Sequence, residues 1–495
     1  MVSLGSAKEG LFTRVRESIL RDMCFRGIFL CLAGAMAANV VLADTWTGAG
    51  WTVRFNLPDQ NSTNAGPDEF VIRDAFLARI NALDNNDWAC LATYTFTNQV
   101  VAGQLLEALG QALTRGAKIG FVADKGVDIA SNFWPGLSLS GLAARSVNPL
   151  QLSRCPFPDG IMQNKTGVFW YRAATQAWVL SGSWNFTGAG SSEQWNILTE
   201  IQDNALAGAY SNEMRELLEG RFHSDPAKSH AHDGTRFRLP GMHADGWVRF
   251  APYPSAAPGG SNALTDITAA IDAAQEEIFF GLNLLTRSNV VEALARACNR
   301  GVVVHGVIPK SDQYAPDSVY SALLQPVHYA TRNRVVMFPA YYNAERTRRD
   351  GGSWDLVHAK YMVIDPRGAR PWVIHGSANW TWSALVSTST NDENVQFLPH
   401  AGMAAAFLAH FARMSDGVQP WCAMGSGGSS ASAWLDYWLP DDTLHELVWT
   451  GDLHNPASWT NRVQLLPARR GTNTLNLARD PLPRFFRVQR VPPAL

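Results

Sequence analysis

Apolar and polar positions along this chain follow two periods, one of strands and one of helices, and the same succession of both occurs twice. FVIRDAFLARINAL at 70–83 carries apolar side chains at helical spacing. WACLATYTF, from Trp88, is an apolar run of strand composition. LLEALGQALTRG is helical again and is stopped by Gly116, and AKIGFVAD is a buried-type strand. The series returns as ALTDITAAIDAAQ at 263–275, EIFFGLNLL from Glu277, VVEALARACNRG ending on Gly301, and VVVHGVI. Each series opens on a matching strand, Val53-Arg54-Phe55 and Val248-Arg249-Phe250. Strands alternating with helices predict an α/β fold with a largely parallel sheet in each copy. Phe55 and Phe250 stand 195 positions apart, as do Lys165 and Lys360, so the chain is an internal duplication with its length changes in loops. The expected domains are 44–240 and 241–424. GSGGSSASA at 425–433 reads as a flexible linker, and the short alternating segments of 434–495 as a small β-sandwich-like module.

The N-terminus changes the picture. Arg21 and Arg26 precede the apolar stretch Gly27 to Leu42, and Val41-Leu42-Ala43 is a small-residue cleavage site. The stretch is near the lower length limit for a spanning helix. Residues 1–43 are therefore expected to be a signal peptide and the mature protein to be secreted or periplasmic. Cys90, Cys155, Cys298 and Cys422 remain after cleavage and could form two disulfides in three pairings. No Cys/His cluster has zinc spacing, so no metal site is expected. The net charge of −2 lacks the basic excess of most nucleic-acid binders. The 18 tryptophans read first as core packing and second as a stacking or lipid-contacting rim. A monomer is expected.

Candidate chemistry lies in the second copy, in VHAKYMVID. His358 and Lys360 are two apart on a strand-like segment, so they share a face. An imidazole beside an ammonium suits a phosphate: the lysine stabilises non-bridging oxygens, and the histidine attacks phosphorus or moves a proton. Asp365 ends the segment and is placed to hold either group. IHGSANW then brings Ser377 and Asn379, neutral donors for phosphate oxygens, and Glu393 in NDENVQF could fix the tautomer of His358.

His-x-Lys-x4-Asp, then Gly-Ser-x-Asn, then Glu-Asn is a pattern that resembles the phospholipase D superfamily. His358, Lys360, Asp365, Gly376, Ser377, Asn379 and Glu393 fit it, and the resemblance, with the duplication, covers roughly 50–410. It implies two fused phospholipase D-like α/β domains related by a pseudo-twofold, whose motifs meet in one site. It also implies a covalent phosphohistidine, a second histidine that protonates the leaving alcohol, and no metal or cofactor.

The first copy departs from the pattern. IMQNKTGVFW puts Gln163 in the place of the histidine and Trp170 in that of the aspartate. Lys165, Ser183 and Asn185 are kept as phosphate-binding residues, and Trp195 falls where the glutamate should lie. Glutamine cannot act as acid or base near neutral pH. His375, beside Gly376, is a conceivable substitute acid, although a histidine with its own structural partner is the favoured reading there, as it is for His305. The leading expectation is a secreted phosphodiesterase using His358 as nucleophile on a phospholipid at a membrane surface or on another phosphodiester. The alternatives are a phosphate-ligand-binding pseudoenzyme and, less favoured, a nuclease. The apolar loop NFWPGLSLSGL at 132–142 and the basic stretches RNRVV and ERTRRD fit a lipid with an anionic head.

Overall fold

The structure is a computed structural model. It describes residues 45–56, 70–156, 160–256, 259–309, 319, 335–340 and 356–416, and six strands between 422 and 490. The expected signal peptide and the stretches RNRVV (in part) and ERTRRD lie outside these residues.

Each copy folds into one sheet. The first copy supplies β1 (Thr45–Gly48), β2 (Trp51–Phe55), β3 (Trp88–Thr93), β4 (Lys118–Ala123), β5 (Gln151–Arg154), β6 (Ile161–Met162), β7 (Thr166–Tyr171), β8 (Gln176–Gly182), β9 (Gln194–Trp195) and β10 (Ile197–Gln202). The second supplies β11 (Arg236–Phe237), β12 (Gly246–Ala251), β13 (Glu277–Leu282), β14 (Val303–Pro309), β15 (Val335–Ala340), β16 (Leu356–Val357), β17 (Lys360–Ile364), β18 (Trp372–Gly376) and β19 (Asn391–Leu398). Strand order is β1-β2-β10-β8-β7-β3-β4-β5 in one sheet and β11-β12-β19-β18-β17-β13-β14-β15 in the other. The two orders correspond strand for strand, which is the duplication seen in space.

The sheets are mixed rather than largely parallel. Along these two orders β3-β4-β5 and β13-β14-β15 run parallel and the other neighbours antiparallel; the short pairs β6-β19 and β9-β16 are also parallel. The helix crossovers that the periodicity picks out generate the parallel pairs along the two orders, but β7 and β8, and β17 and β18, are joined by short connections, which antiparallel pairing permits. The helices Gln104–Arg115 and Ser288–Asn299 end where expected, with Gly116 (φ 100°) and Gly301 (φ 96°) in the left-handed region that a following turn requires.

Three apolar clusters hold the fold. One lies under the outer helices of the first copy and contains Ile72, Phe76, Leu105 and Leu109. Its counterpart in the second contains Ile267, Ile271, Val290 and Leu294. The third joins the copies: Leu206, Tyr210 and Met214 of the helix Asn204–Leu218 and Phe407 and Phe411 of the helix Ala401–Asp416 pack with Phe55, Phe250 and Tyr361. A fully buried side chain of this size contributes ~1.5–3 kcal/mol, so the copies are not independent modules. A buried polar cluster adds to this seam. His223 Nδ1 lies 2.7 Å from Asp392 Oδ2, Lys228 bridges Asp392 (3.0 Å) and Glu213 (2.8 Å), and Cys155 Sγ lies 3.0 Å from His223 Nε2.

Several expectations change. β11 already belongs to the second sheet, so the division between copies falls before 236 rather than at 240. The linker at 425–433 is partly paired strand: β20 (Cys422–Ser426) and β21 (Ser432–Leu439) form an antiparallel hairpin. With β22 (His445–Thr450), β23 (Asn461–Leu466), β24 (Gly471–Ala478) and β25 (Phe485–Arg490) they make two three-stranded sheets. Cys90, Cys155 and Cys298 are buried and no disulfide joins any two of them, so the expected disulfides do not form among them. In the loop at 132–142 Leu139 and Leu142 are buried and Phe133 packs edge-on against Phe96, while Trp134 and Leu137 are partly exposed. Among the described residues no helix is long and apolar enough to cross a membrane.

Candidate active site

Two short strands reach across the seam and build the site. β6 of the first copy pairs with Asn391 and Asp392 of β19, and β16 of the second pairs with β9 of the first. Each exchange delivers one motif position to the same depth: Gln163 N–H donates to Asp392 O (3.0 Å) and His358 N–H to Trp195 O (3.2 Å). The lysines repeat the correspondence. Lys165 Nζ donates to Gln163 O and Lys360 Nζ to His358 O, both at 2.8 Å. Both lysines are buried.

His358 Nδ1 lies 2.9 Å from Asn196 Oδ1. Asn196 Nδ2 donates to Gly190 O (2.8 Å), and Ser183 Oγ donates to Asn196 Oδ1 (2.7 Å). The amide orientation is thereby set, and Oδ1 can only accept. Nδ1 of His358 must carry the proton, which leaves the lone pair on Nε2, 3.5 Å from Lys360 Nζ. Burial, and then the charges of Lys360 and Lys165, push the His358 imidazole well below its ordinary range, so it stays neutral. Burial likewise lowers Lys165 to about 8, against the pull of Glu393 and Asp124. The two strand exchanges and the His358–Asn196 contact bring segments of both copies together here.

Glu393 is not the partner of His358, contrary to expectation. Its Oε2 accepts from Ser377 Oγ (2.6 Å) and its Oε1 from Asn391 Nδ2 (3.4 Å). The register explains this. Ile197 pairs with Phe55 as Asn394 pairs with Phe250, so Asn196, not Trp195, is the first-copy counterpart of Glu393. The likeness of WN at 195–196 to EN at 393–394 is off by one residue, and on a strand one residue reverses the face. Asn196 is the functional residue that the sequence reading missed. The signal available was the serine: Ser183 Oγ accepts from Ile197 N–H (3.1 Å) and Ser377 Oγ from Asn394 N–H (3.0 Å). Ser183 and Ser377 thus spend their hydroxyls on orienting Asn196 and Glu393 instead of facing a phosphate.

Asp365 holds neither His358 nor Lys360. β17 runs antiparallel to β13 with Lys360 opposite Leu282 and Ile364 opposite Ile278, so Asp365 sits ~16 Å along the strand from Lys360. Its carboxylate accepts from the main-chain N–H of Gln275, Glu276 and Glu277 (2.9, 2.7 and 2.9 Å), fixing the turn into β13. In the first copy Trp170 occupies that place and donates to Ser211 Oγ, while Asp87, on the facing turn, accepts from Arg172 N–H. Asn379 accepts from Asn283 Nδ2 (3.3 Å), and Asn185 Oδ1 is buried without a hydrogen-bond partner. His375 is no substitute acid: it is buried beside Thr199 (3.2 Å) and Phe407, and burial lowers it to about 3. His305 packs edge-on against Phe279.

The site thus sets an imidazole beside the buried ammonium group of Lys360, at a seam built from two corresponding halves. Residues 267–415 match the family described as cardiolipin synthase, PLD-like domain. The matched residues lie in the second copy, where the motif that resembles the phospholipase D superfamily stands. No curated protein matches it. Similar solved structures include phosphatidylserine synthase from Haemophilus influenzae Rd KW20 (11% identity, 74% of this chain, 85% of that one, TM-score 0.47). Polyphosphate kinase from Porphyromonas gingivalis shares 13% identity with a TM-score of 0.46 over 74% of this chain; the match spans only half (50%) of that protein's length. Nuc from Salmonella typhimurium, a phospholipase D family member, shares 20% identity over 34% of this chain and 93% of its own, with a TM-score of 0.24.

Proposed function

We propose that the protein is an exported phosphodiesterase of phospholipase D type in which His358 is the nucleophile. The geometry that carries this is His358 with Nδ1 held 2.9 Å from Asn196 Oδ1 and Nε2 turned to Lys360 Nζ at 3.5 Å. Nε2 attacks phosphorus, the N–P bond forms, and the P–O bond to the leaving group breaks. Lys165 and Lys360 take up the charge on the non-bridging oxygens. Water then displaces His358 from phosphorus. Gln163, where a second acid would stand, supplies no proton, so the leaving group departs as an oxyanion. Phosphodiesters with acidic leaving groups react fastest on this account, and a phospholipid is the favoured natural class. Purified protein quenched during turnover of a nitrophenyl phosphodiester should carry a phosphoryl adduct on His358, detectable by mass spectrometry. Turnover without such an adduct, or turnover that survives His358→Ala, excludes the reading.

A second reading, a phosphate-ligand-binding pseudoenzyme, is favoured by Gln163 and by the amide, not carboxylate, facing His358. Binding of a phosphodiester that requires Lys360, with no product formed even from the nitrophenyl ester, would establish it.

A further inference from the structure

The second copy holds a cavity of about 330 Å³. Asn262, Leu264, Arg287, Asn289, Trp382 and Val386 are among the residues that line it. Its charged lining residues are Arg287, Glu292 and Arg296. One arm of the Arg287 guanidinium donates to Asn289 Oδ1 (3.1 Å), but Nε is buried without a hydrogen-bond partner. The rest of the guanidinium stands partly exposed on the cavity wall with no carboxylate partner among the described residues, so an anion in the cavity would meet it there. Arg296, also on the wall, is already held by Asp272 through two bonds (2.9 and 2.8 Å), and the Glu292 carboxylate lies on the same wall. The helix Ser288–Asn299 starts at Arg287 with no side-chain acceptor at its N-terminus. Above lies Trp382, 44% exposed, an apolar cover that the core does not use.

The cavity is tied to the central site by short chain. Arg287 follows Asn283 by four residues and Trp382 follows Asn379 by three, and Asn283 Nδ2 donates to Asn379 Oδ1. Between them the two segments run as a short parallel pair, Trp380 N–H to Leu284 O (3.0 Å) and Thr286 N–H to Trp380 O (3.1 Å). Even fully extended, these links reach no more than ~11–14 Å. At the corresponding place the first copy has neither the arginine nor the tryptophan. The bridge of Leu285 with Trp380 is matched by that of Phe96 with Phe186, which puts Asn98 where Arg287 stands and Gly188 where Trp382 stands. The Asn98 amide packs so closely on Gly188 that a Cβ there would lie 2.5 Å from Asn98 Nδ2.

We propose that this cavity is a subsite for a second phosphoryl group of the substrate, with Arg287 as its counter-ion and Trp382 over an apolar spacer. The inference rests on the central site being where the scissile phosphate binds. The test is calorimetric binding of octanediol bisphosphate and of octyl phosphate to the full chain. The bisphosphate should bind at least about tenfold more tightly, the scale of one charge-assisted bond to arginine. Arg287→Gln should remove that advantage and leave octyl phosphate unchanged. Equal affinity of the two probes, or an advantage that survives Arg287→Gln, overturns the proposal. Lys360→Met tests the central reading separately: it should weaken both probes, and octyl phosphate binding unaffected by it would refute that reading alone. A short single-stranded oligonucleotide that displaces the bisphosphate better than octyl phosphate does would overturn the apolar spacer.

Discussion

The two copies share one backbone and divide one set of side chains between them. Both present a lysine to the carbonyl two residues before it, and both use a Gly-Ser turn to hold a polar side chain on the neighbouring strand. The second copy gives His358 and Glu393, and the first gives Gln163 and Asn196. Because the strands cross the seam, the histidine faces the amide of the other half. What the comparison teaches is that strand pairing and packing preserve the frame whichever side chain stands at its centre, whereas chemistry depends on single positions. Fold symmetry and catalytic symmetry are thus separate properties here.

The strongest test of this division is His358→Ala. It should lower turnover of a nitrophenyl phosphodiester by about 10³-fold or more, since no other described group offers a lone pair at that place. The corresponding Gln163→Ala should have little effect on the same ester, and an equal loss from both would end the asymmetric account.

The seam itself can be broken by pH. Burial opposes a charge on His223, but Asp392 and Cys155 outweigh it and raise the imidazole to about 9. A folded-state value above the ordinary 6.5 stabilises fully below about pH 6.5, and the gain is lost as pH rises through about 9. The size is on the order of 3 kcal/mol. Urea unfolding at several pH values should show that decline, and His223→Gln should flatten it.

Asn196 sharpens the comparison further. Asn196→Leu frees the His358 tautomer and should cost roughly thirtyfold in kcat, a modest share of what positioned proton handling supplies. Asn196→Asp places a carboxylate on Nδ1 and should raise the His358 pKa, so that an acid limb appears in kcat/KM at a higher pH than in the wild type.

Gln163→His moves the molecule toward symmetry. The new imidazole would enter the half of the site that holds Glu393, already oriented by Ser377. Turnover of alkyl phosphodiesters should rise at least about tenfold, while the nitrophenyl ester, which needs no proton to leave, stays the same. No gain on alkyl esters would mean that more than a proton donor is missing.

The smallest effect separates the two lysines. Lys165, lowered to about 8 by burial, loses its charge as pH rises through that value, so kcat/KM should fall several-fold above about pH 8. On the acid side the profile should stay level through the usual histidine range, because His358 remains neutral there. Lys165→Met should lower activity and remove the alkaline limb.

Much of the fold was legible in the sequence, because helical and strand periods, the glycine stops and the 195-residue repeat are properties of neighbours along the chain. The central residues His358, Lys360, Gln163 and Lys165 were legible for the same reason, since two-residue spacing on a strand sets a shared face. The order of the strands and their mixed direction were not, because direction depends on how the short connections after β7 and β17 fold back. Nor was the partner of His358: Asn196 reaches it only through strands exchanged across the seam, and a three-residue difference in the loops after the Gly-Ser turns hides the register. Asp365 shows the same limit. Its place in the motif suggested the site, but an extended strand carried it ~16 Å away to three main-chain N–H groups. Local spacing therefore determined which residues could do chemistry, and only the tertiary structure decided which of them meet. Contacts between residues far apart in the chain are set by the packing of two sheets, which no local pattern encodes.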